Sequence, residues 1–500
     1  MTEFELKFAL EPGGIAALRR AAPLAGIRPV RRRLLNLYFD TPRAELARAR
    51  MALRLRRAGG RWFQTLKAGA GGAGGVHSRS EWEFPRPGPN LDLSLLADTP
   101  LAALKDAVHL HERLEAVFTV IFDRETWIVG GPQGSRIEVA LDRGEASVAG
   151  RRDAICEVEL EVLEGDALAA FDLANALLDH AALRPSAVTK AERGWRVARG
   201  ERLVPVKARR AALDETLTPG QAARAILAEG LAHWQANEEG VLASADPEFI
   251  HQMRVALRRI RSALRIFREV LGPGFEAAGD ELRWIADVLG AARDWDVLAT
   301  VMLPQLLASH GEAKLARRLR ALVAARRGKA RAAVHAAIGS PRHARLVLGL
   351  ARALSQPVPG QPGDTPLADF ASRILRKRHR NLLAHAQGQA GFTADERHAL
   401  RIAAKRLRYG AEGFAPLFRG RRVETYLETL SDIQDDLGLA NDAATAARLL
   451  AELELPEAFR EYARGWLAAF TGASTTGLDR HVMRLEEARR FWHKVPVAPA

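Results

Sequence analysis

The first strand-like stretch of the chain alternates charged and apolar residues. Glu3, Glu5 and Lys7 are spaced by two, with Phe4 and Leu6 between them. In an extended strand the three charged side chains share one face and lie within about 7 Å along the chain. Two carboxylates this close repel each other unless a cation lies between them. A hard divalent cation with a phosphate group nearby would satisfy all three side chains, although a solvated strand face shows the same alternation.

The same alternation of charged and uncharged residues recurs in later strand-like segments of the first 200 residues. The acidic positions are Glu81, Glu83, Glu138, Asp142, Glu157, Glu159 and Glu161. The basic positions are Arg54, Arg56, Lys67 and Arg79. Recurrence on nearly every strand favours a closed barrel with a charged lumen over an open sheet with a wet face. Such a lumen suits a metal-bound polyphosphate, because bases bind phosphate oxygens and acids bind the metal.

The elements that would position these residues are short antiparallel strands. Besides the first, we predict strands over 33–40, 51–57, 61–67, 77–84, 114–129, 136–148 and 153–163. Glycine-rich turns separate several of them, and helices are predicted over 12–22 and 165–182. So many strands in under 200 residues indicate a barrel or a sandwich.

Several ordered motifs in this region resemble those of the CYTH family, the triphosphate tunnel metalloenzymes. Glu3-Phe4-Glu5-Leu6-Lys7 matches the Glu-x-Glu-x-Lys signature of that family. Supporting matches are Asn36 to Pro42, Leu53 to Arg56, Gln64 to Lys67, Arg79 to Glu83, Glu157 to Glu161, and Lys190 with Arg193-Gly194. The resemblance implies an eight-stranded tunnel barrel that binds triphosphate compounds with a divalent metal, Mg²⁺ or Mn²⁺.

The resemblance also implies roles for individual residues. Phosphate would be bound by Lys7, Arg54, Arg56, Lys67, Arg79, Arg124 and Lys190. Metal would be bound by Glu3, Glu5, Glu159 and Glu161, with Glu81, Glu138 and Asp142 near them. Catalysis would fall to Glu3, Glu5, Lys7 and Glu161, without a division between metal ligand and general base. Thr189 departs from the serine that relatives often carry before the lysine, but it keeps the hydroxyl.

The second half of the chain has helical periodicity and repeats itself. We predict a tunnel domain over 1–200, a linker over 201–217 and a helical domain over 218–490, with repeats at about 218–354 and 367–490. The block that begins at His251 aligns with the block at His398, an offset of 398 − 251 = 147 residues. A second block aligns Leu289 with Leu437, an offset of 148 residues. Two ordered blocks at nearly one offset indicate an internal duplication, with two bundles of about four helices.

Each repeat carries a basic stripe at helical spacing. The stripes are His251, Arg254, Arg258 and Arg261 in the first repeat, and His398, Arg401, Lys405 and Arg408 in the second. Two such stripes facing each other would line a cationic groove that fits inorganic polyphosphate, although solvated helices also carry charge runs. This half resembles the CHAD domain, a helical module associated with polyphosphate binding.

The charge balance agrees with a polyanionic partner. The formal net charge is +14. Residues 1–200 hold 29 basic and 26 acidic residues, a net of +3, which leaves +11 for the remainder. We find no recognisable nucleic-acid-binding motif, and aromatic residues are too sparse for base stacking, so no specific nucleic acid is expected. Cys156 as the lone cysteine fits a reducing compartment.

We therefore expect an α+β multidomain protein: an antiparallel eight-stranded tunnel barrel followed by an all-α duplicated helical bundle. The predicted activity is metal-dependent hydrolysis of inorganic triphosphate, with long-chain polyphosphate bound by the helical half. The alternatives are a polyphosphate-binding scaffold with little turnover, a thiamine triphosphatase or an adenylate cyclase. No membrane span or signal peptide is expected, which predicts a cytoplasmic location. The predicted polyphosphate binding would associate the protein with polyphosphate granules. The sequence gives no prediction of the oligomeric state.

Overall fold

The computed structural model describes residues 2–69, 72–104, 109–356, 365–386, 393–418 and 420–493. The chain forms two compact units. The first comprises Met1–Val204 and Ile338–Ser355, and the second comprises Pro205–Ala337 and Gln356–Ala500. Each unit is described separately below.

The first unit is built on an antiparallel sheet. Its strands are β1 (Thr2–Leu10), β2 (Val30–Asp40), β3 (Met51–Ala58), β4 (Arg61–Ala68), β5 (Val76–Arg86), β6 (Glu115–Gly130), β7 (Arg136–Val148), β8 (Arg151–Glu164) and β9 (Leu183–Pro185). Their order in the sheet is β5-β4-β3-β2-β6-β7-β8-β1-β9. Glycines with positive φ occupy the tight turn between β3 and β4, at Gly59 and Gly60, where other residues would be strained.

The sheet closes on itself because β5 also pairs with β1. The first half of β1 pairs with β5, from Thr2 opposite Ser80 to Leu6 opposite Val76. The second half pairs with β9, the short strand that continues the same edge. Eight strands therefore complete a ring, and the predicted eight-stranded barrel is confirmed.

The alternation along β1 separates a packed face from a cavity face. Leu6 and Phe8 are fully buried. The ring of Phe4 lies 6.0 Å from that of Phe171, which belongs to a helix on the outside of the sheet. Glu5 and Lys7 point the other way and line a cavity inside the ring.

Short helices complete the first unit. They are α1 (Ile15–Arg19), α2 (Glu45–Arg48), α3 (Leu110–Arg113), α4 (Leu168–Leu178) and α5 (Lys190–Arg199). Helix α5 begins at a capping box in which Thr189 and Glu192 exchange hydrogen bonds with each other's backbone N–H groups. This cap fixes the start of the helix and thereby the position of Lys190.

Helices fill the second unit and the segment 338–355. They are α6 (Pro219–Ala243), α7 (Pro247–Ile266), α8 (Ala278–Val297), α9 (Leu303–Ala308), α10 (Ala313–Ile338), α11 (Pro341–Ser355), α12 (Leu367–Ala386), α13 (Ala394–Phe414), α14 (Arg421–Ala451), α15 (Glu457–Thr475) and α16 (Leu478–Glu487). The predicted helical domain is confirmed. Within the residues described, no helix is long and apolar enough to cross a membrane.

Helix α11 packs within the first unit, against β9 and α4. Ion pairs join Arg345 to Asp179 and Arg352 to Asp172. The two arginines are seven residues apart on α11, and the two aspartates are seven residues apart at α4. The second ion pair therefore lies about two helical turns from the first along both helices. The sequence alone placed this segment in the first helical repeat.

The two basic helices of the second unit, α7 and α13, have defined starts. The side chain of Asp246 accepts a hydrogen bond from Glu248 N–H, and Pro247 is the first helical residue. Helix α13 begins at a capping box between Thr393 and Glu396. On α7 the apolar stripe that includes Met253 and Leu257 is buried. The basic stripe lies on another side of the helix and is half-buried.

Candidate active site

The barrel of the first unit encloses a cavity of about 770 Å³. Its described lining holds eight basic side chains: Lys7, Arg32, Arg54, Arg56, Arg61, Lys67, Arg124 and Lys190. It also holds six glutamates: Glu5, Glu81, Glu83, Glu138, Glu159 and Glu161. A cavity with both charge signs can bind a polyanion together with a cation.

Three glutamates form a row across neighbouring strands. Glu161 on β8 lies directly opposite Glu5 on β1 and Glu138 on β7. Directly opposite residues have Cβ atoms about 4.5–5.5 Å apart, and like charges at this spacing destabilise a sheet. We call Glu5, Glu138 and Glu161 the carboxylate row. Its charge density is the kind that a divalent cation offsets.

A second acidic group lies deeper in the barrel wall and is already matched by cations. Asp142, Glu157 and Glu159 each place a carboxylate oxygen within 4.8 Å of the others. Lys190 Nζ lies 2.5–2.7 Å from an oxygen of all three. Lys7 Nζ lies 2.7 Å from Glu157 and 3.3 Å from Glu159. We call these five residues, together with Arg124, the buried ion network.

Arg124 completes the buried ion network. It donates to both oxygens of Asp142 and to Glu159. Burial disfavours its charge, but Asp142 and Glu159 outweigh that cost and raise the pKa of Arg124. Burial likewise opposes the charge of Glu159, but Lys190 and Lys7 lower the pKa of that carboxyl. Three cations and three carboxylates therefore neutralise one another.

The two acidic groups differ in their fitness for a metal ion. Carboxylate oxygens are the ligands that Mg²⁺ and Mn²⁺ prefer, and both groups supply them. In the buried ion network the space between the carboxylates is taken by Lys190, and Asp142 is 0% exposed and does not line the cavity. The carboxylate row lines the cavity, where a divalent ion has access to it. The roles of Asp142 and Glu159 as metal ligands stay a prediction, and in this structure both carboxylates contact Lys190 and Arg124.

The cations on β3 and β4 lie on another part of the cavity wall. Arg54 and Lys67 both contact Glu81, at 3.4 Å and 2.9 Å. Arg56 donates to Asn36 Oδ1 at 3.0 Å. Burial and the neighbouring Arg54 and Arg124 lower the pKa of Arg56 to about 10. A cation so crowded by other cations would be stabilised by a bound anion.

Tyr38 was not predicted as a site residue, although it lies within the quoted Asn36 to Pro42 motif. It is buried, lines the cavity and stacks on Phe118 with ring centroids 4.8 Å apart. Burial disfavours the phenolate, but the Coulombic effect and hydrogen bond of Arg54 outweigh this and lower the pKa of Tyr38. Its hydroxyl is thus a polar group aimed at the cations. Glu157 was predicted as one of the alternating acidic positions but was given no role in the site.

The structure brings most predicted tunnel residues to one cavity; Asp142 lies behind its lining, and two others cannot be placed. The side chains of Glu3 and Arg79 lie outside the described residues, and only their backbone pairing between β1 and β5 is seen. Lys190 is brought to the barrel by α5, which packs on β6, β7 and β8. Gly194 permits this packing, because a Cβ there would lie 2.0 Å from the ring of Phe118.

In the second unit the two basic stripes meet between α7 and α13. The guanidinium carbon of Arg258 lies 5.9 Å from the ring centroid of Tyr409. Burial is the largest cause that lowers the pKa of Lys405, and the positive charges of Arg401, Arg258 and Arg254 lower it further, to about 7. Burial and Arg258 lower the pKa of Arg254 to about 10. We call Arg254, Arg258, Arg401 and Lys405 the cationic cluster.

The cationic cluster has few counter-charges within the described residues. Its nearby carboxylates are Asp294 and Asp442, whose pKa values are raised by burial. The buried Nε atoms of Arg258 and Arg401 have no hydrogen-bond partner there. Cations that are buried, mutually repulsive and incompletely hydrogen-bonded would be stabilised by a bound anion.

The remaining members of the stripes differ from the cluster. Arg408 already donates to Glu412 at 2.7 Å and to Gln434 at 3.2 Å. His251 is half-buried, and burial together with Arg293 lowers its pKa to about 4, whereas His398 is exposed. The two histidines occupy equivalent sequence positions but unlike environments. Asp296, which is fully buried, pairs with Arg327 and Arg331 of α10.

Comparisons with known proteins match the barrel half and the helical half of the chain to two different families. Residues 1–195 match the CYTH domain family, and residues 225–451 match the CHAD domain family. An uncharacterised protein of Mycobacterium tuberculosis is 30% identical over 433 residues, which cover 80% of this chain and 80% of that protein.

Two further relatives each match one half. The inorganic triphosphatase of Haemophilus influenzae is 30% identical over 201 residues, 39% of this chain and 54% of that protein. The chain thus spans about half the length of this relative. The crystal structure of the CHAD domain from the plant Ricinus communis has 36% sequence identity and a TM-score of 0.50. It covers 57% of this chain, and the match covers 98% of the plant domain.

Proposed function

The chain belongs to the proteins that join a CYTH domain to a CHAD domain, and on this basis we propose that its barrel hydrolyses inorganic triphosphate with a divalent metal ion. The observation that carries the proposal is the cavity in which the carboxylate row and eight basic side chains share one lining. The similarity of the first half to the Haemophilus inorganic triphosphatase supports the choice of substrate.

The basic side chains of the lining would bind the phosphates. Arg54, Arg56 and Lys67 lie on neighbouring strands, with Arg54 opposite Thr65 and Arg56 opposite Phe63 in the register of β3 and β4. Guanidinium groups bind phosphate oxygens through two parallel N–H donors, and the lysine acts as a compact charge. Phosphoryl transfer depends mainly on positioning and on electrostatic stabilisation of oxygen charge, which this wall of cations provides.

Glu5, Glu138 and Glu161 would hold the metal ion. Bound there, Mg²⁺ or Mn²⁺ would neutralise charge on the phosphate oxygens and acidify a bound water. The lining carboxylates that do not hold the metal would accept the proton of the attacking water. The buried ion network would keep Lys7 and Lys190 in place rather than contribute another metal site.

For the second unit we propose binding of long-chain polyphosphate at the cationic cluster. The supporting observation is that Arg258 and Arg401 each bury an Nε atom without a hydrogen-bond partner in the described residues. A linear polyanion would supply both the missing acceptors and the missing negative charge. We also propose that the protein is cytoplasmic and that polyphosphate binding associates it with polyphosphate granules.

Phosphate release tests the proposed activity. The full chain is assayed with tripolyphosphate, ATP and thiamine triphosphate in parallel, each with Mg²⁺, with Mn²⁺ and with a chelator. We expect metal-dependent turnover that favours tripolyphosphate. Preference for thiamine triphosphate, or pyrophosphate release from ATP, would instead indicate the thiamine triphosphatase or adenylate cyclase activity. Polyphosphate binding without turnover of any substrate would indicate a scaffold.

A further inference from the structure

A histidine lines the barrel cavity and has no part in the proposed triphosphate site. His77 lies on β5, and its side chain belongs to the cavity wall, where it is only 4% exposed. The phosphate-binding side chains of the lining are all lysines and arginines, and the acidic ones are all glutamates. Imidazole is the commonest metal ligand among protein side chains. The position of His77 relative to the carboxylate row therefore bears on the metal site.

His77 extends the carboxylate row by one strand. Glu5 on β1 lies directly opposite His77 on β5, and it also lies directly opposite Glu161 on β8. Glu138 on β7 follows next to Glu161. Four residues in direct register thus run across four neighbouring strands, and all four line the cavity. Directly opposite residues have Cβ atoms about 4.5–5.5 Å apart, so His77 neighbours Glu5 on one side as Glu161 does on the other.

The hydrogen bond of His77 defines which ring nitrogen can bind a metal ion. Nε2 lies 3.3 Å from the backbone carbonyl oxygen of Ser186. A carbonyl oxygen can only accept, so Nε2 carries the proton, and in the neutral ring Nδ1 carries the lone pair. Metal-binding histidines almost always donate their other ring N–H to a carboxylate, a backbone carbonyl or a water. The contact with Ser186 therefore has the form expected of a metal-binding histidine.

The backbone around Ser186 holds this acceptor in place. Ser186 N–H donates to Lys7 O, and Lys7 N–H donates to Gly75 O, both at 2.9 Å. Lys7 is two residues from Glu5, and Gly75 is two residues from His77. Gly75 has a φ of +80°, and a Cβ there would lie 2.8 Å from Lys7 O, so this approach requires glycine. The same backbone contacts thus fix the strand that carries Glu5 and the acceptor that orients His77.

A nitrogen ligand changes the kind of metal ion that such a site prefers. Carboxylate oxygens suit Mg²⁺ and Mn²⁺, whereas imidazole suits the later first-row transition metals. Mg²⁺ takes oxygen ligands and gives up its waters reluctantly. For a given set of nitrogen and oxygen ligands, affinity rises from Mn²⁺ through Fe²⁺ to Co²⁺. A histidine added to a glutamate row therefore favours transition-metal ions at the expense of Mg²⁺.

We propose that His77 Nδ1 is a metal ligand beside Glu5, and that it makes the barrel site prefer first-row transition-metal ions to Mg²⁺. This inference rests on the metal site of the proposed function, to which it adds a nitrogen ligand and a class of metal. In the competing explanation, His77 only ties β5 to Ser186. His77→Gln separates the two roles, because the glutamine amide can still donate to the Ser186 carbonyl but offers no ring nitrogen.

The test measures metal binding by the full chain without turnover. Pulsed electron paramagnetic resonance of the Mn²⁺-loaded protein detects directly bound imidazole as nitrogen hyperfine coupling, which changes when histidine is ¹⁵N-labelled. Calorimetric titrations with Mn²⁺ and with Mg²⁺ give the ratio of the two affinities. The variants are His77→Gln and the matched control His180→Gln. His180 is an exposed histidine of the same unit that does not line the cavity.

We expect histidine nitrogen coupling in the wild type and in His180→Gln, and its loss in His77→Gln. The ratio of Mn²⁺ to Mg²⁺ affinity should fall at least about tenfold in His77→Gln, since removal of even an outer partner of a metal ligand costs about 10- to 100-fold. Circular dichroism checks that this variant is folded.

Three results would overturn the inference. Wild-type protein that binds Mn²⁺ without histidine nitrogen coupling excludes His77 as a ligand, a result that does not depend on the folding of any variant. An unchanged affinity ratio in folded His77→Gln excludes it as the source of metal preference. In both cases metal-dependent hydrolysis of tripolyphosphate would leave the proposed function standing. Failure of the wild type to bind Mn²⁺ or Mg²⁺ would overturn the inference and the proposed metal site together.

Discussion

Glu5 on β1 and Glu161 on β8 lie directly opposite each other, and both side chains line the barrel cavity. The strand register fixes these two residues at neighbouring positions on the cavity wall. Glu138 extends the pair to a third strand. Carboxylates grouped in this way would offer oxygen ligands to a divalent cation.

Replacement of Glu161 by Gln should weaken metal binding, because the central member of the carboxylate row loses its charge. We expect Mn²⁺ affinity, measured by electron paramagnetic resonance of the free ion, to fall about 10- to 100-fold. Glu164→Gln, on the same strand but exposed, is the control. Unchanged Mn²⁺ affinity in Glu161→Gln would remove the row from the metal site.

Replacement of Glu157 by Gln should destabilise the barrel. Glu157 contacts Lys7 and Lys190, and its side chain is 3% exposed, so its loss leaves two buried ammonium groups with fewer acceptors. We expect the free energy of unfolding to fall by about 3–5 kcal/mol in denaturant titrations followed by circular dichroism. Glu164→Gln, which breaks an exposed pair with Arg136, should cost about 0–1 kcal/mol. Similar losses in both variants would contradict a structural role for the buried ion network.

His251 should make the stability of the helical unit depend on pH. Its pKa is lowered to about 4 in the folded state, from an ordinary value of 6.5. Between these values the unfolded chain binds more protons, so stability is lost as pH falls from about 6.5 to 4. The half-buried setting limits the effect to about 1–2 kcal/mol.

Melting temperatures measured by calorimetry across this range should fall less steeply in His251→Gln than in the wild type. His398→Gln, at the equivalent but exposed position of the second repeat, should keep the wild-type slope. If both variants behave alike, the difference in environment between the repeats has no energetic consequence.

Lys405 should couple polyphosphate binding to pH. Its pKa of about 7 lies below the ordinary value of 10.5, so it loses its charge as pH rises through neutrality. A bound polyanion favours the charged form, and affinity should therefore fall by up to about tenfold per pH unit above pH 7. Lys405→Arg keeps the charge and should flatten the dependence in fluorescence titrations with polyphosphate. An equal slope in both proteins would exclude Lys405 as the titrating group.

Charge reversal at Arg254 and Arg401 separates the two halves of the proposed function. Arg254→Glu with Arg401→Glu should weaken polyphosphate binding at least tenfold, since two cluster cations become anions. Tripolyphosphate turnover in the barrel should persist. Unchanged polyphosphate binding would mean that the basic stripes are only solvated helix faces, and DNA competition at matched salt would reveal a nucleic-acid preference.

The barrel was largely predictable because strand alternation has a period of two. The predicted 51–57 and 61–67 became Met51–Ala58 and Arg61–Ala68, and the charged positions of these strands do line the cavity. The three-residue β9 is too short to give a period. Arg32 was missed because the run Arg31-Arg32-Arg33 hides which side chain faces the cavity until Leu34 and Tyr38 fix the register.

The pairing of the site residues was not predictable from spacing. Lys190 meets Glu157 and Glu159 only because α5 packs on the barrel, a contact between residues that are about 30 positions apart. The same packing of α5 places Lys190 between Asp142, Glu157 and Glu159. Similarly, the repeat predicts that His251 and His398 are equivalent, but burial depends on the elements that pack around each one.

The most direct test of the account is the Mg²⁺ dependence of phosphate release from tripolyphosphate, compared between the wild type and Glu161→Gln. We expect the wild type to require Mg²⁺ and to lose activity with a chelator, and the variant to be slower by about 100-fold or more while remaining folded. Chelator-resistant turnover by the wild type, or full activity of Glu161→Gln, would contradict the assignment of the carboxylate row as the centre of a metal-dependent triphosphatase.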